Sequence, residues 1–182
     1  AERDDIFEEP ETGSGIMHDD HVQLDQHGHI KVFTDGSAYG TTARETARAG
    51  YGVFYKHNSR HNVAKYLAGP LQSSTRAELR AVAEVVKYTY APAIIVSDCL
   101  YVVNAFKDLL KLGDDANIHD LPDSDIWTRV AELVKRKGPH LFQIEWVPSH
   151  IGEEGYEHKT IKFADHPAAS PEHVAGNAQA DR

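Results

Sequence analysis

A single cysteine among 182 residues, Cys99, excludes an internal disulfide framework and points to a reducing, intracellular compartment. No apolar run reaches membrane-spanning length and no secretory leader is recognisable, so no membrane partner is expected of these residues. Internal repeats and low-complexity tracts are also missing, which removes solenoid and fibrous classes. Methionine is limited to Met17 and the chain opens on Ala1, as expected of a processed or excised piece of something longer. What remains is ordinary globular composition, with 41% apolar and 26% charged residues. The length suits one domain with a sizeable core and is too short for two.

Basic residues are scarce where the acids are dense. Residues 1–25 hold nine acids against Arg3 and carry −8 of the net −9, so the other 157 residues sit at −1. Few apolar residues, high charge and Gly13-Ser14-Gly15 predict a disordered, solvated leader or linker over 1–25, with the folded domain over 26–182.

Within the domain, His29-Ile30-Lys31-Val32-Phe33-Thr34 alternates and is rich in β-formers, predicting a strand that ends at Asp35-Gly36. Strands are also expected over 50–56 and 62–67, joined by a hairpin turn at 57–60. Leu79, Val82, Val85 and Val86 recur at helical spacing within 71–90, and Ser73, Ser74 or Thr75 can cap that helix. Ala93-Ile94-Ile95-Val96-Ser97 reads as a strand buried on both faces of a parallel sheet. Helices over 100–110 and 124–137 follow, then a strand over 141–147 and the start of a last helix near Ala178. The order predicts an α/β fold: a five-stranded mixed sheet, three antiparallel strands then parallel ones, with helices on both faces.

Four stretches each place one carboxylate on this frame. They are Thr34-Asp35-Gly36-Ser37, Thr75-Arg76-Ala77-Glu78-Leu79, Ser97-Asp98 and Gly176-Asn177-Ala178-Gln179-Ala180-Asp181. If the first and fourth strands are parallel neighbours, Asp35 and Asp98 emerge at the same carboxyl edge, where open α/β sheets bind ligands. Glu78 lies early in the helix that crosses between them. Like charges so gathered repel unless cations bridge them, and an all-oxygen set suits Mg²⁺ or Mn²⁺ rather than zinc. Each residue also has a local explanation. Asp35-Gly36-Ser37 is turn chemistry, Thr75 to Glu78 fits a capping box, Asp98 can cap the next helix, and Asp181 can open an exposed one.

Taken together, the four blocks resemble the type 1 ribonuclease H family over residues 29–182. That family sets Asp-Gly-Ser on the first strand, Glu on the first helix, Asp after the fourth strand and a last Asp in Asn-x-x-x-Asp. The resemblance implies a metal-dependent endoribonuclease that cleaves the RNA strand of RNA/DNA hybrids with two Mg²⁺ ions, leaving 3′-hydroxyl and 5′-phosphate ends. It implies Asp35, Glu78, Asp98 and Asp181 as metal ligands, with Mn²⁺ as a substitute ion. Glu78 would also touch a ribose 2′-hydroxyl. Gly36, Ser37, Ser74, Thr75, Arg76 and Asn177 fall where the family lines the hybrid's minor groove, and Ser73 where a hydroxyl holds a DNA phosphate.

His150, in Ser149-His150-Ile151-Gly152-Glu153-Glu154-Gly155, matches the family's His-x-Gly-x-x-Gly loop and is the candidate for proton transfer and product release. Residues 156–176 then read as an insertion, and its His173 is the rival; the glycine framework favours His150. His57 and His61, or His158, His166 and His173, raise a zinc alternative, without cysteines or a known ligand pattern to support it.

Two departures from the family stand out. Where several members carry a basic handle, residues 108–123 hold Lys111 beside Asp114, Asp115 and Asp120, and Asp123 stands near a position that relatives often give to a phosphate-binding asparagine. The last helix that the resemblance implies is cut short at Arg182. Cationic candidates elsewhere are Arg76, Arg80, Lys135, Arg136 and Lys137. Weak intrinsic affinity for the hybrid follows, as in relatives joined to a reverse transcriptase or another nucleic-acid-binding domain. The alternatives are a catalytically idle module of this fold within a polyprotein, and a DNA nuclease or integrase of the same superfamily.

Overall fold

The computed structural model describes residues 3–11, 13–40 and 47–148. Their main elements are β1 (Gln23–Leu24), β2 (Ile30–Tyr39), β3 (Arg48–Phe54), β4 (Val63–Tyr66), α1 (Ser74–Tyr88), β5 (Ala93–Ser97), α2 (Leu100–Leu112), α3 (Ser124–Lys137) and β6 (Phe142–Trp146). The sheet runs β4-β3-β2-β5-β6. Its β4-β3-β2 half is antiparallel and its β2-β5-β6 half parallel, as the sequence predicts. The short β1 is a sixth strand, pairing with Ile30 and Lys31 of β2.

Both crossovers, β4 to β5 through α1 and β5 to β6 through α2 and α3, step the same way across the sheet. Right-handed connection therefore places the three α-helices among the described residues on one face, where α1 touches both α2 and α3; the sequence predicts helices on both faces, and the last helix it expects lies beyond the described residues. Val32, Ile95 and Ile144 form one rung of that face across β2, β5 and β6, buried in the main core with Val82, Val85 and Trp127. Phe33, Phe54 and Val96 form a buried rung on the opposite face. The last helix expected near Ala178 lies outside the described residues, as does the 156–176 insertion.

α1 begins at the N-cap Ser73, whose Oγ accepts the Arg76 amide at 3.1 Å. Its far end is closed from α3. The Lys137 ammonium donates to the Val86, Lys87 and Thr89 carbonyls at 2.6, 2.7 and 2.9 Å and lies 3.7 Å from the Tyr90 ring centre. Burial pulls its pKa down to about 7. Lys137, a cationic candidate in the sequence, is thus the group that satisfies the last carbonyls of α1.

The leader departs most from expectation. Ile6 is fully buried in the core, Val22 joins it, and Ile16 bridges to the strand-like end of α1 through Ile16 N to Tyr88 O and Tyr90 N to Ile16 O. The leader's acids meet arginines. Asp4 and Asp5 pair with Arg80 at 3.0 and 2.7 Å, and Glu9 with Arg136 at 2.6 Å. Arg129 donates to the Ile6 and Glu8 carbonyls. Composition read along the leader alone predicts solvation; the counter-charges that dock it sit more than seventy residues away on α1 and α3.

Candidate active site

β2 and β5 pair in parallel up to Thr34 opposite Ser97. The next residues, Asp35 and Asp98, therefore leave the shared edge side by side. β2 does not stop there. It continues against β3 through Asp35 opposite Gly52 and on to Tyr39 opposite Arg48, so Asp35-Gly36-Ser37 is strand rather than turn. A turn residue would be free to vary; Gly36 is not. A Cβ on it would lie 2.5 Å from the Ala77 carbonyl carbon and closer still to the Glu78 amide nitrogen. The missing side chain lets α1 cross β2 in near contact, and that approach delivers Glu78 to the carboxyl edge.

The local alternatives for Glu78 and Asp98 also fall. With Ser73 as N-cap, the capping-box partner position belongs to Arg76, and Glu78 lies two residues further in. The cap position of α2 is Cys99, not Asp98. Asp35, Glu78 and Asp98 each offer a carboxylate oxygen within 4.8 Å of the others, a group that could hold a metal ion. Asp35 and Glu78 are both 7% exposed, and Asp98 is half-buried. Burial, with the charges of Asp35 and Asp98 next and a hydrogen bond to Asp98, raises the Glu78 pKa well above the ordinary glutamate value. Glu78 Oε2 is buried with no hydrogen-bond partner. Such an arrangement is costly without a cation, and an all-oxygen donor set of this kind fits a hard divalent ion.

Around the cluster, Ser37 lies two residues along the same face of β2, with its Oγ buried and without a hydrogen-bond partner. Ser73 and Ser74 are exposed at the start of α1 and Thr75 is half-buried. Arg76 is turned elsewhere. It is buried, and its guanidinium grips Asp125 through two bonds of 2.8 and 2.7 Å and Asp123 at 3.1 Å, both at the start of α3. Those carboxylates raise the Arg76 pKa. Asp123 holds a left-handed backbone, φ 61°, at the cap of α3. The acidic stretch between α2 and α3 forms a short 3₁₀ turn, Gly113–Asp115, in place of a basic handle. His150, Asn177 and Asp181, with the rival His173, lie outside the described residues. His57 and His61 join no metal-ligand group among the described residues; His61 instead bonds Asp19 of the leader at 2.9 Å.

Sequence reasoning missed one contact at this edge. The Trp146 indole N–H, at the end of β6, donates to the Asp98 carbonyl at 3.1 Å. Only the parallel register Ser97 opposite Trp146 reveals it.

Comparison with known proteins agrees with this geometry. The family model described as RNase H matches residues 27–182. Ribonuclease H of Saccharomyces cerevisiae is 29% identical over 152 residues, which is 70% of this chain and 42% of the yeast protein, so the chain spans less than half of that relative. The solution structure of the prototype foamy virus RNase H domain aligns with a TM-score of 0.51 at 22% identity, covering 82% of this chain and 88% of that one. The crystal structure of the prototype foamy virus protease-reverse transcriptase aligns at 0.53 and 20% identity, over 83% of this chain and 19% of the viral one. These two likenesses are of fold. No helix among the described residues is long and apolar enough to cross a membrane. With the family model matching residues 27–182, and the carboxylates of β2, α1 and the turn after β5 brought to one edge, the chain belongs to the RNase H family.

Proposed function

We propose that this domain hydrolyses the RNA strand of RNA/DNA hybrids, with divalent metal held by Asp35, Glu78 and Asp98 and completed by Asp181. The observation that carries the reading is the carboxylate cluster, its oxygens within 4.8 Å of one another at the carboxyl edge of a parallel strand pair. Two Mg²⁺ ions, or Mn²⁺ in their place, would supply water activation and neutralise the leaving oxygen of the phosphodiester. The chain's own residues orient. β2 holds Asp35 within the strand and the end of β5 presents Asp98, and α1 brings Glu78 to the side from which a ribose 2′-hydroxyl can be sensed. Gly36, Ser37, Ser74, Thr75 and Asn177 line the minor groove, Ser73 offers its hydroxyl proton to a DNA phosphate, and His150 moves protons and releases product. Arg76 contributes by anchoring the start of α1 to α3.

The domain is weak on its own and works beside a reverse transcriptase or similar nucleic-acid-binding module. Its arginines support this part of the reading, since Arg76, Arg80, Arg129 and Arg136 are each engaged by carboxylates of the chain itself. The test is incubation with labelled RNA/DNA hybrid, duplex RNA and duplex DNA in Mg²⁺. Cleavage confined to the RNA of the hybrid, and lost in Asp98→Asn with folding intact, is the expected outcome. Cleavage of duplex DNA would favour the integrase-like alternative, and no cleavage with retained hybrid binding would favour an idle module.

A further inference from the structure

We infer that Trp146 is a positioning residue for Asp98, aiming its carboxylate by fixing the backbone from which it springs. This rests on the reading of Asp98 as a metal ligand. β5 ends at Ser97 and α2 starts at Leu100, so two residues, Asp98 and Cys99, must turn the chain while presenting a carboxylate to Asp35 and Glu78. The cap residue Cys99 makes no side-chain capping bond. Hydrogen bonds from both sides hold the turn. The Val147 amide donates to the Ser97 carbonyl at 2.9 Å, the Cys99 amide donates to Ser97 Oγ at 3.1 Å, and the Trp146 indole donates to the Asp98 carbonyl at 3.1 Å. The first two tie the residues on either side. The third acts on the backbone of Asp98 itself, and it comes from a different strand.

Burial does not account for Trp146. Its side chain is left 46% exposed, whereas Trp127, the other tryptophan, is fully buried in the core. The polar tip is the engaged part, and it reaches over the strand boundary to the ligand turn. A carbonyl held by a donor on rigid β6 restricts rotation of the 98–99 peptide, and with it the direction of the Asp98 carboxylate. Catalytic and metal constellations tolerate little looseness of this kind.

The experiment compares the full chain with two variants, Trp146→Phe and a chain carrying 3-benzothienylalanine at 146, which keeps the indole's shape but has no N–H. Mn²⁺ binding is measured by calorimetry, and the Asp98 carbonyl carbon resonance is followed in the metal-free protein. Both variants should bind Mn²⁺ about three- to tenfold more weakly, the scale of one neutral hydrogen bond. The Asp98 carbonyl resonance should move in both, and kcat on hybrid should fall while KM holds. If Trp146 acts only by packing, the benzothienyl chain matches wild type in affinity and resonance, and the inference is overturned alone. A wild-type chain that binds no Mn²⁺ overturns the metal-site reading and this inference together.

Discussion

Two groups of acids meet α1, and they are built on opposite principles. Asp35, Glu78 and Asp98 are packed against one another, and every neighbouring charge acting on Glu78 raises its pKa. Two residues further on, Arg80 is enclosed by Asp4, Asp5 and Glu84, with its side chain 1% exposed, and sits 4.8 Å from the Tyr51 ring centre. Burial works against the Arg80 charge, but Tyr51, Glu84 and Asp4 outweigh it and raise the Arg80 pKa. Carboxylates gathered without compensation hold unfavourable energy that a cation can release, whereas carboxylates gathered on a guanidinium are structure. The same helix, within one turn, carries one acid of the carboxylate cluster and the dock for the leader.

The sharpest way to break the comparison is to neutralise one acid of the first group. Glu78→Gln should lower hybrid cleavage on the order of 10³-fold, measured as single-turnover rate in Mg²⁺, because it removes a preorganised charge at the reacting centre. The same change should stabilise the metal-free protein. Glu78 has a raised pKa in the folded chain, so above the ordinary glutamate value the folded state retains a proton that the unfolded chain has released. Stability then falls as pH rises through that window, and Glu78→Gln should flatten the slope in thermal melts with chelator present.

In the second group neutralisation should do the reverse. Arg80→Met leaves Glu84 and Asp4 buried without their cation and should cost about 3–5 kcal/mol in denaturant unfolding. An unchanged midpoint would mean that the leader is not docked in solution. The smallest effect belongs to Lys135→Ala. Its pairing with Asp114 is a surface contact, with both side chains more than 70% exposed, and its loss should leave the unfolding midpoint within error.

Strand and helix placement along β2 to β6 is legible because periodicity and apolar runs are local properties. Boundaries are less so. The sequence reads Asp35-Gly36-Ser37 as a turn because those residue types make turns, yet β3 extends the pairing to Tyr39 and the glycine answers to α1 instead. Arg76 reads as a substrate contact by its place in the motif, and its occupation by Asp123 and Asp125 depends on α3 lying against α1. The leader was the hardest to read. Its acids look solvated when counted alone, and Ile6-Phe7 is a short apolar pair in an acidic run, but the 3₁₀ turn (Asp5–Phe7) docks through buried Ile6, with Phe7 packed on the core, and matched arginines.

By itself the sequence determined the residue types of the site, the order of the elements and the all-carboxylate character of its cluster, because motif spacing and hydrophobic period are written along the chain. Tertiary structure alone decided which acids are compensated. Arg80 and Glu78 stand two positions apart on α1 and project to different sides of it, one towards the leader and one towards the carboxyl edge of β2 and β5. That separation comes from helical geometry and from the neighbours packed on each side, which no count along the chain contains.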